Sequence, residues 1–204
     1  MGCVGGSGLS GRDVPAEAEL PTGPVLVLAE DATMRPGGEA AARQAATAVV
    51  YHLIHDGGRS PASVLGQETL DQRRAASGDA SLQEPLDVLA EAAGAEAILY
   101  LRLAELSPRS GTGLMHPTAA AAVRVVDADG RRLFPTGEGE RWIRTDLLTR
   151  PDVADTDRSA QERVLADALG RRVARLFFRW RRPAPGERVL AERERVRAAR
   201  GGAP

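Results

Sequence analysis

Cys3 is the only cysteine in this chain of 204 residues, so its sulfur has no disulfide partner within the chain. It follows Gly2 and precedes a Gly/Ser-rich stretch over residues 4–11. A thiol there is placed for modification and not for burial, and acylation is the chemistry that suits it. One myristoyl chain holds a protein at a bilayer only marginally, whereas two or three chains, at about 0.8 kcal/mol per buried CH₂, hold it firmly. The same placement excludes a thiol nucleophile inside the fold.

The other groups with chemical potential are few. His52 and His55 stand three residues apart beside Asp56, a spacing that can share a helix face. A metal would need further ligands, and the only other histidine, His116, lies in a distant loop. Histidines near a helix C-terminus also complement the dipole, so no metal is assigned. Asp127-Ala-Asp129-Gly130 resembles the opening of a calcium loop, but the later ligands are replaced by Arg-Arg-Leu-Phe, and a hairpin turn is the expected reading. Gly111, Gly113, Gly137 and Gly139 match neither a dinucleotide fingerprint nor a phosphate loop. Ser7 sits among glycines, but Leu9 occupies the place that a nucleophile elbow reserves for glycine. Arg171, Arg175, Arg179 and Arg182 recur at helical spacing opposite a Leu/Phe face. Such a stripe suits anionic headgroups, peptidoglycan or an acidic partner. Without aromatic stacking residues interleaved it does not suit nucleic acid. The sequence therefore gives no cofactor site and no catalytic site.

The elements that must position these groups follow from periodicity. Residues 1–23 lack a pattern and read as a tether; Leu20–Gly23 is too short, and at the wrong terminus, for a sortase signal. At Pro24 the chain turns abruptly apolar in VLVLAED, an unbroken run expected of a strand covered on both faces. A helix follows Gly37-Gly38, with Ala42, Ala45, Ala46, Val49, Leu53 and Ile54 on one stripe, Glu39 in its first turn and Gly57-Gly58 at its end. A short strand is expected at Ala62–Leu65 and a polar, exposed helix at Gln67–Ala76. Ser81 and Glu84 form a capping box before a helix with Leu86, Leu89, Ala90 and Ala93 that stops at Gly94. Residues 95–106 read as a central strand, and the segment after Pro117 as a hairpin turning at Asp127–Gly130, followed by a strand over residues 140–148. A second capping box, Ser159 to Glu162, opens a helix with Leu165, Leu169, Val173, Leu176, Phe177 and Trp180 on one side and an Asp167–Arg171 pair on the other. Pro183 and Pro185 end it.

Parallel crossovers followed by hairpins imply an α/β (α+β) fold: a single mixed sheet with βαβ crossovers, a β-hairpin and a C-terminal helix packed on it. The organisation is a tether (1–23), one domain (24–182) and a charged tail (183–204). With 43% hydrophobic residues the chain is rich enough for a real core, and with only 3% aromatics that core must be Leu, Val and Ala. A net charge of −1 gives no overall pull toward nucleic acid or acidic lipid. All 27 basic residues are arginine, and lysine and asparagine are absent. That bias is what a GC-rich bacterial genome produces, not a functional arginine signature.

VLVLAED with its helix, LAEAAGAEAILYLRLAEL, AAVRVVDADGRRLFPT and RVLADALGRRVARLFFRW together resemble a group of uncharacterised bacterial lipoproteins. More distantly the chain is similar to the α/β domains of the curli-secretion-channel lipoprotein family and of lipoprotein activators of penicillin-binding proteins. The resemblance covers roughly Pro24–Trp180 and rests on a helix end, a strand and a turn. It implies an envelope location and an assembly or activation role, and carries over no active residue. Gly2-Cys3 followed by small residues is also how a mature bacterial lipoprotein begins, although only Met1 and Gly2 precede the cysteine here. The rival modification is myristoylation at Gly2 with palmitoylation at Cys3, which wants Ser or Thr where Gly6 stands.

The reading that unites these features is a lipid-anchored, non-enzymatic interaction or assembly domain of the bacterial cell envelope, facing the periplasm. Its partner would be an envelope protein or a peptidoglycan-associated component. The alternative is a cytoplasmic α/β binding or regulatory domain in which Cys3 is incidental. A small hydrolase would need a pocket gathering His52, His55 or His116 with carboxylates.

Overall fold

A computed structural model describes residues 11–77, 85–107, 117–146 and 158–184. The strands are β1 (Arg12–Val14), β2 (Val25–Asp31), β3 (Val64–Leu65), β4 (Ala97–Ser107), β5 (Thr118–Asp127), β6 (Arg132–Phe134), β7 (Arg141–Asp146) and β8 (Trp180–Arg182). The helices are α1 (Gly38–His55), α2 (Gln67–Ser77), α3 (Leu86–Ala93) and α4 (Arg158–Ala174). The main sheet runs β3-β2-β4-β5-β6, and β7 also pairs with β5. β2 is parallel to β3 and β4, whereas β5 is antiparallel to β4, β6 and β7. This is the mixed α/β sheet with crossovers and a hairpin that the element order implied.

The unbroken apolar run in β2 has its cause in two covered faces. Val25 and Val27 join Leu99, Leu101, Val123 and Val125 beneath α1 and α4, while Leu26 and Leu28 join Ile98 and Val126 beneath α2 and α3. The α1–α4 contact is made by small residues. A Cβ on Gly170 would stand 2.4 Å from the Ala45 carbonyl oxygen and 2.6 Å from the Ala48 Cβ, so only glycine lets the two helices approach this closely. The hairpin turn forms at Asp127–Gly130, where the Asp127 carboxylate accepts from the N–H of Asp129 (3.1 Å) and of Arg131 (2.7 Å). The carboxylate of that calcium-like opening is thus used by its own turn.

Several local expectations are corrected. Of Ala62–Leu65 only Val64–Leu65 is strand; Pro61–Ser63 is a 3-10 turn whose first N–H groups meet Ser60. Leu70 is buried, anchoring the otherwise polar α2 to the sheet. Ser81–Glu84 lies outside the described residues, and Pro85 occupies the N-cap of α3 without a side-chain cap. Ser159 stands inside α4, and Glu162 pairs instead with Arg158 at 3.0 Å.

The largest correction concerns both ends of the domain. Residues 12–23 are not tether. β1 pairs antiparallel with β8, Ala18 and Leu20 pack against the main core, and Arg59 donates to the carbonyls of Pro21 (2.7 Å) and Gly23 (2.9 Å). The last helix stops at Ala174, short of Trp180. The carbonyl of Leu176, which a continuing helix would offer to Trp180, accepts instead from the N–H of Glu17 (2.7 Å) and Ala18 (3.2 Å). Leu176 and Phe177 turn through i−3 bonds to Val173 and Ala174, the N-terminal segment docks on the Leu176 carbonyl, and the chain continues as β8. Among the described residues no helix is long and apolar enough to cross a membrane.

Candidate functional site: an arginine and tryptophan groove

Where the β1–β8 ribbon meets the end of α4 and the strand β7, a groove of about 450 Å³ opens. Its walls carry five arginines, Arg141, Arg144, Arg172, Arg175 and Arg182, with Trp142 and Trp180, against one carboxylate, Glu17. For a chain of net charge −1 this is a strong local concentration of positive charge.

Each cation is positioned by a neighbour. Arg141 grips Glu17 through two parallel bonds, Nε to Oε2 at 2.9 Å and Nη2 to Oε1 at 2.8 Å, tying the segment after β1 to β7. Donation to the Glu17 carboxylate raises the Arg141 pKa above its ordinary value. Arg144 spans to β4, with Nη2 2.9 and 3.1 Å from the two oxygens of Glu105. Glu105 also accepts from the Thr118 hydroxyl at 2.6 Å, and that bond first, then Arg144, holds its carboxyl below the usual range. Arg172 donates to the backbone carbonyl of Arg144. Arg175 lies over the Trp180 ring at 4.3 Å, with Arg182 5.8 Å from the same centroid. Trp142 is half-exposed. Guanidinium groups held in fixed planes beside indole rings can bind carboxylates, phosphates or sugar acids. Among the described residues the groove lining offers no nucleophile paired with a general base.

The chain is similar to several solved structures. One is the PelC dodecamer from Paraburkholderia phytofirmans, with 13% identity, coverage of 82% of this chain and 97% of that chain, and a TM-score of 0.46. A second is lipoprotein GNA1162 from Neisseria meningitidis, with 15% identity, coverage of 74% and 98%, and a TM-score of 0.42. A third is the LpoB C-terminal domain from Salmonella enterica, with 14% identity, coverage of 63% and 87%, and a TM-score of 0.39. This chain is similar to solved bacterial lipoproteins. No protein-family model and no curated protein sequence matches it.

The arginine row of the sequence does not form one helix stripe, because α4 ends before its last three members. Arg175 and Arg182 enter the groove. Arg171 turns inward, with Nη2 3.4 Å from Asp167 and Nε donating to His52 Nε2 at 3.3 Å, and Arg179 pairs with Asp13 at 2.6 Å. Arg141, Arg144 and Arg172 were not singled out in the sequence. The signal that could have found the groove is that the only two tryptophans, in ERWIR and FRWRR, are both flanked by arginine.

His52 and His55 do not share a site. His52 is buried between α1 and α4, with Nδ1 2.7 Å from Asp56 Oδ2 and Nε2 accepting from Arg171, so both ring nitrogens are engaged. His55 is exposed and leans on Tyr51, with ring centroids 4.3 Å apart. His116 and Cys3 lie outside the described residues. Among the described residues no group of three or more His, Cys, Asp or Glu is placed to hold a metal.

Proposed function

We propose that this protein is a lipid-anchored, non-catalytic binding domain of the bacterial cell envelope. Cys3 carries the acyl chains, and the arginine and tryptophan groove engages an acidic segment of an envelope protein or of a peptidoglycan-associated partner. Facing the periplasm, the domain scaffolds or regulates the complex that it joins.

The observation that carries this reading is the attachment of β1 to β8. A tether running to Pro24 would let the domain wander about 70 Å from its anchor, since extended chain covers about 3.3–3.6 Å per residue. With Arg12 already fixed in the ribbon, the reach from Cys3 falls to about 30 Å. Val14 and Pro15 line the groove directly. An anchor at Cys3 would therefore keep the mouth of the groove within about 30 Å of the membrane surface, where partners of the same compartment are concentrated.

Mass spectrometry of the protein recovered from its native host tests the anchor. Acyl chains on Cys3 and recovery in the membrane fraction are expected; a bare thiol on protein free in the cytosol overturns the reading. The groove is tested separately with poly-glutamate as the acidic probe. Replacing Arg172 and Arg175 together by Gln should weaken binding on the order of tenfold, given the worth of charge-assisted hydrogen bonds. Unchanged affinity removes the groove from the proposal.

A further inference from the structure

The groove runs along an open strand edge. Ile143 points into the core beneath α4, whereas Trp142 points to the opposite face, where the Arg102 guanidinium lies 5.8 Å from its ring centroid. One groove is lined by Trp142, by Ile143 and by Arg172 of α4, so it passes the side of β7 that lies between the two faces. β7 pairs with β5 on its other side, and among the described residues no further strand pairs with it.

Which amides face the groove follows from the register. The Leu103 carbonyl accepts from the Ala32 N–H and therefore faces β2. Along a strand, the backbone groups of successive residues face alternate sides. Arg102 consequently faces β5 and its partner Ala122, which turns Ala121 and Val123 toward β7. Their partners Ile143 and Arg141 are used by β5, and the amide groups of Trp142 and Arg144 are directed outward. The Arg144 carbonyl agrees with this, because Arg172 reaches it from outside the sheet. Among the described residues no backbone bond outside the sheet reaches Trp142 or the Arg144 N–H.

The surroundings of the edge decide what can pair with it. Charged side chains on an edge strand discourage pairing between copies. Two β7 edges joined about a two-fold axis would bring Arg141 and Arg144 of both copies together, and like charges oppose that. A segment of opposite charge meets no such barrier, since the lining sets five arginines against Glu17.

We infer that the groove takes an extended acidic polypeptide segment, which adds to β7 as a further strand. Its backbone bonds with Trp142 and with the Arg144 N–H. Its carboxylates meet Arg144 on one face of the sheet and Arg172 and Arg175 on the other. Backbone pairing supplies affinity in such additions, and flanking side chains supply the choice of sequence. The edge from Arg141 to Arg144 is about 13 Å long at about 3.3 Å per residue, which suits a segment of about four residues. This mode of pairing rests on the groove binding acidic groups at all, and it selects a polypeptide over a glycan or a phosphate, which carry no ladder of amides.

The test uses amide exchange of the isotope-labelled protein, read by NMR with saturating poly-glutamate. Exchange at Trp142 and Arg144 should slow by about tenfold or more, while Ile143, already bonded to β5, changes little. Hexaglutamate supplies a second arm through its own N–H groups, with no variant of the protein needed. N-methylation of its second, fourth and sixth residues blocks one edge of the peptide and leaves the other whole, so affinity should hold within about twofold. N-methylation of the third and fourth residues interrupts both edges with fewer methyl groups, and should weaken binding about tenfold. Equal affinity for the two methylated peptides, or unchanged exchange at Trp142 and Arg144 with poly-glutamate bound, overturns strand addition and leaves acid binding standing. Failure of poly-glutamate and hexaglutamate to bind overturns both, and the arginines then only guard the edge.

Discussion

The two faces of the sheet are built on different plans. The face beneath α1 and α4 carries a continuous core of small residues, with Ala45 and Ala48 packed directly on Gly170 and with Leu165, Leu169 and Val173 at zero exposure. The face beneath α2 and α3 has a smaller cluster around Leu26, Ile98 and Ala90, and its two short helices start at the edge of an open cleft of about 680 Å³. Tight packing leaves no room for a ligand, because close-packed interiors resist changes of a single methylene. The less fully covered face has space. Close packing is therefore concentrated on one side of the sheet and open space on the other and at its rim.

Substitutions can break or sharpen that contrast. Leu169→Ala, under α1, should cost about 4 kcal/mol, near the top of the range for buried leucines, because the surrounding helices cannot collapse onto the void. Gly170→Ala should cost about 3 kcal/mol by forcing α1 and α4 apart, read as a lowered midpoint in thermal or urea unfolding. Leu70→Ala, equally buried but on a short helix beside the cleft, should cost only about 2 kcal/mol, because α2 can settle toward the sheet. Equal losses for Leu70 and Leu169 would abolish the distinction between the faces.

Smaller effects are expected at the rim. Glu17→Gln weakens a bidentate but half-exposed ion pair and should cost under about 1 kcal/mol. Its clearer readout is faster trypsin cleavage after Arg12, as the N-terminal segment loosens. The smallest effect is a pH dependence through Glu105, whose folded pKa is depressed by Thr118 and then by Arg144. A depressed carboxyl stabilises the fold above its unfolded value, about 4.3, and that contribution is lost as the pH falls through the lower folded value. Thr118→Val should therefore be less stable than the parent at neutral pH, and the gap should narrow on acidification below about pH 4, measured by urea unfolding.

Much of the fold was legible residue by residue. VLVLAED announced a strand buried on both faces, the Ala-rich stripe after Gly38 announced α1, and Asp127–Gly130 announced the hairpin turn. In each the signal is local, since the spacing of apolar positions or the needs of one turn decide the outcome within a few residues. β1 and β8 gave no such signal. RDV and WRR are three-residue, largely charged strands whose existence depends on each other across the length of the chain. The end of α4 was misplaced for the same reason. Leu176, Phe177 and Trp180 keep helical spacing, but the Leu176 carbonyl is taken by the segment at Glu17.

The candidate site divides in the same way. Arg175 and Arg182 were noticed as part of a row, but a helical wheel also counts Arg171, which serves His52, and Arg179, which serves Asp13. Arg141, Arg144 and Trp142 come from a strand that pairs with β5, outside the helical periodicity that picked out the row. The open edge of β7 could not be read at all, because a missing strand partner is a property of surroundings and not of a residue type.

By itself the sequence determined the order and kind of the main elements, the composition of the core and the isolation of a single thiol at Cys3, all properties that neighbouring residues settle among themselves. Only the tertiary structure decided where the domain begins, where its last helix stops, and which arginines share a surface. Those outcomes depend on long-range pairing of the N-terminal segment with the chain after α4 and on rings and guanidinium groups of β7 meeting those of α4 and β8, and no short window of sequence contains both sides of either contact.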